Sequence, residues 1–237
     1  MKLSDLKTKI FADGADPLHI YKLAADPLIA GFTTNPTLMK VAGIKDYEAF
    51  AKELLAKVPD RPISLEVFSD DLTEMQRQGF KLGSWGKNVY VKVPVTNSRG
   101  ETTVPVIKAL AKEGIKLNVT ALFTLDQLIT VHKALNPEIP SVLSVFAGRI
   151  SDTGRDACQV MRDCRKYLGH GGKAELLWAS SREVYNLVQA NETGCDIITM
   201  SPDLLKKLSM YGKDLVQLSL ETVNMFKNDA AAAGYQL

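Results

Sequence analysis

Among the 237 residues of this chain, a single lysine inside a β-branched run is the side chain best placed for covalent chemistry: Val89-Tyr90-Val91-Lys92-Val93-Pro94-Val95. The run is short and apolar, bounded by Gly86-Lys87-Asn88 and Thr96-Asn97-Ser98, and predicts a buried strand. Alternation puts Val89, Val91 and Val93 on one face and Tyr90 and Lys92 on the other. Desolvating an ammonium is costly, so a buried lysine titrates lower, and the neutral amine is the nucleophile that forms a Schiff base with a carbonyl. A drop of about 2 to 3 units from about 10.4 corresponds to roughly 3 to 4 kcal/mol. An edge-strand lysine that blocks aggregation would look the same on this strand alone. The other polar residues decide between the two.

Several of those stand where predicted strands end. Asp13 closes the first, Thr33 and Asn35 the second, and Ser64, Glu66 and Phe68 share a face of the third. Asn118 and Thr120 share a face of the fifth, Ser144 and Phe146 of the sixth, and Ser180 closes the seventh. Each alone is an ordinary cap or turn residue. Their gathering on one rim beside an inward lysine is what points to a site. Arg149 follows Gly148 after the sixth strand, and Arg182 lies two residues beyond Ser180, at the expected start of a helix. Guanidinium forks and a helix N-terminus suit a phosphate, although each arginine could equally serve a surface ion pair.

The elements that would position these residues alternate regularly. Strands are predicted over 9–13, 28–33, 62–68, 89–95, 115–120, 141–146, 174–179 and 196–200. Helices are predicted over about 16–24, 46–57, up to 81 from a Ser69-Asp70 cap, 100–112, 125–134, 152–168, 181–189 and 202–208. Asn35-Pro36 is a turn and helix-entry signal. Eight such repeats in about 250 residues predict an α/β fold, a closed (β/α)8 TIM barrel in a single domain over 1–212. A further amphipathic helix is expected over 213–233, within a C-terminal segment 213–237, marked by Leu215, Leu218, Val223 and Phe226. It would pack on a neighbouring subunit or fold over its own barrel mouth. A doubly wound sheet is disfavoured because Asp13-Gly14-Ala15-Asp16 is no Gly-rich dinucleotide turn. Gly169-His170-Gly171-Gly172-Lys173 precedes a strand instead of following one, so it reads as a helix stop and not as a phosphate loop.

Composition narrows the class. Hydrophobic content of 46% and charged content of 24% are those of a soluble globular protein. A net charge of +2 argues against nucleic acid or a membrane surface as partner. No apolar run reaches a membrane span, and the N-terminus has no signal-peptide core. Cys158, Cys164 and Cys195 form no C-x-x-C pair and fit free thiols in a reducing cytoplasm. His19, His132 and His170 have no metal-ligand spacing; neither a metal nor another cofactor is expected.

Four stretches, Thr33-Thr34-Asn35-Pro36-Thr37-Leu38, Val91-Lys92-Val93-Pro94, Leu117-Asn118-Val119-Thr120-Ala121-Leu122-Phe123-Thr124 and Phe146-Ala147-Gly148-Arg149-Ile150, resemble the signatures of the transaldolase family, in order and from about Ile10 to the C-terminus. The likeness is to the short transaldolases grouped with the fructose-6-phosphate aldolases. The resemblance implies a Schiff-base lysine at Lys92, an acid/base at Asp13 that assists C–C cleavage, and Glu66 and Thr120 flanking a catalytic water. It implies dihydroxyacetone contacts from Asn35 and Asn118, a pocket lined by Thr33 and Ser144, and a sugar phosphate held by Arg149, Ser180 and Arg182. A homo-oligomer is implied as well. The aldolase subgroup has glutamine at the position of Glu66 and tyrosine at that of Phe146, so transfer is favoured over cleavage with release of free dihydroxyacetone. A non-catalytic sugar-phosphate binder on the same scaffold is the third alternative. Ser181, where phenylalanine is expected, and Trp178 depart from the pattern and would alter the distal pocket, where a sulfonate or a longer sugar could replace the phosphate.

Overall fold

The computed structural model describes residues 2–236 and is a closed barrel of eight parallel strands in sequential order, each followed by at least one helix. The strands are β1 Lys9–Asp13, β2 Ile29–Thr33, β3 Ile63–Glu66, β4 Val89–Pro94, β5 Leu117–Leu122, β6 Ser141–Val145, β7 Ala174–Trp178 and β8 Ile197–Met200. Around them run α1 Pro17–Ala24, α2 Pro36–Val41, α3 Tyr47–Lys57, α4 Leu72–Gly83, α5 Val104–Lys112 and α6 Leu125–His132. They continue with α7 Ala147–Asp152, α8 Ala157–Leu168, α9 Tyr185–Glu192, α10 Pro202–Lys207 and α11 Leu215–Ala232.

Helix starts follow capping chemistry, in which a short polar side chain accepts from free first-turn amides. Asp16, Asp46 and Asp156 cap α1, α3 and α8 in this way, and Thr124 caps α6 in a reciprocal box with Gln127. Where the observed starts differ from expectation, the caps say why. Asp71, not Ser69-Asp70, caps α4, because the Asp70 carboxylate is taken by Ser98 and Arg99. The helix expected from 100 starts at Val104, with Pro105 in its first turn. The helix expected from 152 is α8 and starts at Ala157, capped by Asp156; the short α7 ends at Asp152, before Gly154 (φ +77°). The helix expected from 181 starts at Tyr185, and Arg182 lies in the loop before it. β5 sits two residues later than expected and carries an irregularity between Val119 and Leu122.

Two apolar layers result. The larger lies between the sheet and the helices, with Leu54, Val91, Ile107, Leu143 and Trp178 at its heart. Burial of each such side chain contributes roughly 1.5 to 3 kcal/mol. The smaller fills the barrel itself: Phe11, Val142, Leu177 and Ile197, flanked by Tyr90. The Phe11 ring stands 2.6 Å from where a Cβ on Gly31 would lie, so only glycine fits opposite it. At the N-terminal end the interior is closed by a Lys9–Glu175 ion pair. Above the apolar plug the inward positions become polar, and that change of layer makes the site.

Helix α11 stands apart. It buries no residue, and Leu215, Val216, Leu220, Val223 and Phe226 are exposed. No residue of it lines the cavity at the barrel mouth.

Candidate active site

A cavity of about 430 Å³ opens at the C-terminal ends of the strands, the face on which barrels of this kind carry their chemistry. The period-2 alternation of β4 turns Lys92 inward, and the residue is only 7% exposed. Its Nζ donates to Thr34 O at 3.0 Å and lies 3.0 Å from Glu66 Oε2, an ion pair off the hydrogen-bond axis. Parallel register puts Glu66 beside Lys92 and Lys92 beside Asn118, so the carboxylate, the amine and the amide come from three neighbouring strands. Tyr47 Oη donates to the Glu66 carbonyl at 3.3 Å and steadies the end of β3.

Asp13 enters from the opposite side of the mouth. Burial raises its carboxyl above the usual range. The Lys92 charge and a hydrogen bond from Thr33 pull the other way, and the Glu66 charge adds to the rise. A carboxyl held up in this manner is suited to taking and returning a proton. Thr33 Oγ1 donates to Asp13 Oδ1 at 2.9 Å and also touches Thr199 Oγ1 at 2.6 Å.

The remaining polar groups form a second chain. Ser144 Oγ donates to Asn118 Oδ1 at 2.7 Å, and Asn118 Nδ2 donates to Ser64 Oγ at 2.9 Å, which fixes the amide with no exposed surface. Asn35 caps α2 by accepting from Leu38 N at Oδ1, 3.0 Å away, and lines the cavity. Thr120 lines the cavity, and its buried Oγ1 bonds to no described protein group.

On the distal side, Phe146 and Arg149 line the cavity, with the guanidinium carbon 5.1 Å from the ring centroid. Among the described residues no carboxylate lies within 4.0 Å of the Arg149 guanidinium, which leaves it available to an anion. Ser180 also lines this side, in the left-handed region at φ +62°, a conformation that side chains adopt at a cost and that clusters at functional sites. Its carbonyl comes so close to Gly148 that a Cβ there would stand 1.7 Å from the oxygen. That contact locks the loops after β6 and β7 together.

Of the residues given a catalytic or substrate-binding role, all but Arg182 line this cavity. The Arg182 guanidinium forks onto Asp152 instead, Nε to Oδ2 at 2.9 Å and Nη2 to Oδ2 at 2.5 Å. Phe68, expected to share the inward face of β3, is exposed beyond the strand end, edge-on to Tyr47. Trp178 does not reach the cavity, because it alternates with inward Leu177 and Ala179 and packs against the helices. Ser181 Oγ donates to Thr199 O at 2.8 Å, tying the loop after β7 to β8. Sequence reasoning missed Thr199, although its alternation with Ile197 in β8 was there to find it, and missed the cavity wall at Ala121, whose φ of +60° no glycine signals.

Comparison with known proteins adds the following. A sequence profile described as "Transaldolase/Fructose-6-phosphate aldolase" matches residues 10–237. A "Probable transaldolase" of Dehalococcoides mccartyi is 31% identical over 204 residues, covering 86% of this chain and 91% of the relative. One so named from Novosphingobium aromaticivorans is 37% identical over 201 residues, covering 84% and 88%. A crystal structure of 2,3-dimethylmalate lyase superposes with a TM-score of 0.58 at 13% identity, over 98% of this chain and 86% of that one, a likeness of fold alone.

Proposed function

The chain belongs to the transaldolase/fructose-6-phosphate aldolase family, and on that premise we propose that it transfers a dihydroxyacetone unit from a ketose phosphate to an aldose phosphate through a Schiff base on Lys92. The observation that carries the proposal is the buried Lys92 amine with Glu66 Oε2 at 3.0 Å, in the same cavity as Asp13. Glu66 takes a proton from the Lys92 ammonium, the freed amine attacks the C2 carbonyl of the ketose, and the proton given back by Glu66 lets the C2 oxygen leave as water, which leaves an iminium. Asp13 then takes the C4 hydroxyl proton, the C3–C4 electron pair moves toward the iminium, and the shortened aldose departs as an aldehyde. The enamine left on Lys92 adds to the acceptor aldehyde, Asp13 returns its proton to the new hydroxyl, and water hydrolyses the product from the lysine. Glu66 and Thr120 serve the two water steps.

Asn35 and Asn118 hold the three-carbon unit, Thr33 and Ser144 keep the polar wall in register, and Arg149 with Ser180 takes the distal phosphate. Arg182 joins them only by leaving Asp152. No helix of the described residues is long and apolar enough to cross a membrane; the substrates are small soluble sugar phosphates of the pentose phosphate type, and the setting that suits them is the cytoplasm. The exposed apolar face of α11 is the surface on which a homo-oligomer would form.

Release of free dihydroxyacetone is the competing outcome, and Glu66 and Phe146 favour transfer over it. Product analysis with and without an acceptor aldose tests this. Transfer is expected to dominate in the parent, and Glu66→Gln with Phe146→Tyr is expected to shift the ratio toward release. An unchanged ratio in the double variant would remove these two positions as the determinants.

A further inference from the structure

Strand β1 lies between β2 and β8; Asp13 pairs with Thr33 on β2, while Thr199 on β8 pairs with Phe11, one inward position below Asp13, and meets the pair through Thr33. The Thr33 hydroxyl has one proton and sits 2.9 Å from Asp13 Oδ1 and 2.6 Å from Thr199 Oγ1. A carboxylate only accepts. While Asp13 is ionised, the Thr33 proton therefore points at Asp13, and the contact with Thr199 is made by the Thr199 proton. Thr199 is buried, lines the cavity and has its carbonyl pinned by Ser181 Oγ at 2.8 Å, so its hydroxyl is held in register with the pair.

Resting on the Schiff-base proposal above, we infer that Thr199 is a positioning residue, whose hydroxyl fixes the direction of the Thr33–Asp13 hydrogen bond and so holds Asp13 ready for the proton it takes and returns. When Asp13 carries that proton the chain reverses. Asp13 then donates to Thr33, Thr33 donates to Thr199, and the Thr199 proton turns toward the cavity. Both protonation states of Asp13 are thus satisfied with no side chain moving beyond a hydroxyl rotation. The charged groups facing Asp13 are Lys92 from β4 and Glu66 from β3, while β2 and β8 present the two hydroxyls.

The test is Thr199→Val beside Thr199→Ser and Thr199→Ala, with the Asp13 carboxyl followed by carbon-13 NMR titration and transfer kinetics measured on the same samples. Neighbouring hydrogen bonds strengthen one another by a fraction of their own energy, so losing the Thr199 donor is expected to raise the Asp13 midpoint by about half a pH unit. The kcat is expected to fall about three- to tenfold with KM within about twofold. Serine is expected to restore both, while valine and alanine behave alike, whichever of them folds better. An unmoved midpoint and kcat in the valine and alanine variants, or a serine variant no better than they are, would overturn the inference. A parent with neither transfer nor cleavage activity and no borohydride-trapped adduct on Lys92 would instead overturn the Schiff-base proposal, and the midpoint alone would then decide the role of Thr199.

Discussion

Replacing Lys92 by methionine keeps the volume and removes the charge. At 3.0 Å from Glu66 Oε2, the Lys92 ammonium attracts that carboxylate with about 5 kcal/mol at an effective dielectric of about 20. Removing one member of a buried pair costs about 3 to 5 kcal/mol, because the other charge is left uncompensated. The mouth of the cavity is open to water, so the lower end, about 3 kcal/mol, is expected at pH 8. For a chain of this size that is roughly 6 to 12 °C in Tm. The pH dependence gives the sharper test. Asp13 is already raised, burial being the largest cause, and Lys92 is the charge that pulls it back down. Without Lys92 its folded-state value climbs further above the unfolded value of about 3.9. A raised carboxyl favours the folded state while protonated and loses that advantage as pH rises through the folded value. The Tm deficit of Lys92→Met is therefore expected to be small near pH 4.5 and to grow toward pH 8, and Glu66→Gln added to it should recover part of the loss. Calorimetry at the two pH values decides the matter. An equal deficit at both, or no recovery in the double variant, would refute the electrostatic account of the site.

Asp13→Asn removes a carboxylate that burial disfavours, so thermal denaturation should show it more stable than the parent at pH 8 and no more stable near pH 4, while transfer activity falls by about 10² or more. Arg149→Ala should raise KM for a phosphorylated donor about tenfold and leave an unphosphorylated one nearly unchanged. Arg182→Ala should do less, since its fork is committed to Asp152. Truncation after Gly212 removes the exposed apolar helix α11, and sedimentation should show fewer subunits per particle than in the full chain; the same number of subunits for both would place the subunit contacts elsewhere.

The barrel was legible because strands buried on both faces must be β-branched and apolar, and any inward polar residue then stands out. Lys92, Asn118 and Glu66 could be found that way, and the observed register places them side by side. What local sequence does not encode is the choice of distant partner. Arg182 and Asp152 are thirty residues apart, and nothing near either one announces their fork. The left-handed turns at Ala121 and Ser180 went unseen for a related reason, since tertiary packing and not a glycine holds them. Thr199 sits in Ile197-Ile198-Thr199-Met200, where a threonine looks like ordinary strand composition. Its role emerges only when β8 closes against β1. The break between α7 and α8 was signalled by Gly154, and the start of α5 by Pro105, both of which outweigh helical periodicity.

The most direct measurement is borohydride reduction of the parent protein with a donor ketose, followed by intact-mass analysis and peptide mapping. The expected result is one stable adduct of a three-carbon or whole-ketose unit, carried on the peptide containing Lys92 and absent from Lys92→Met. No adduct, or an adduct on another lysine with Lys92 unmodified, would contradict the assignment of the buried amine as the nucleophile.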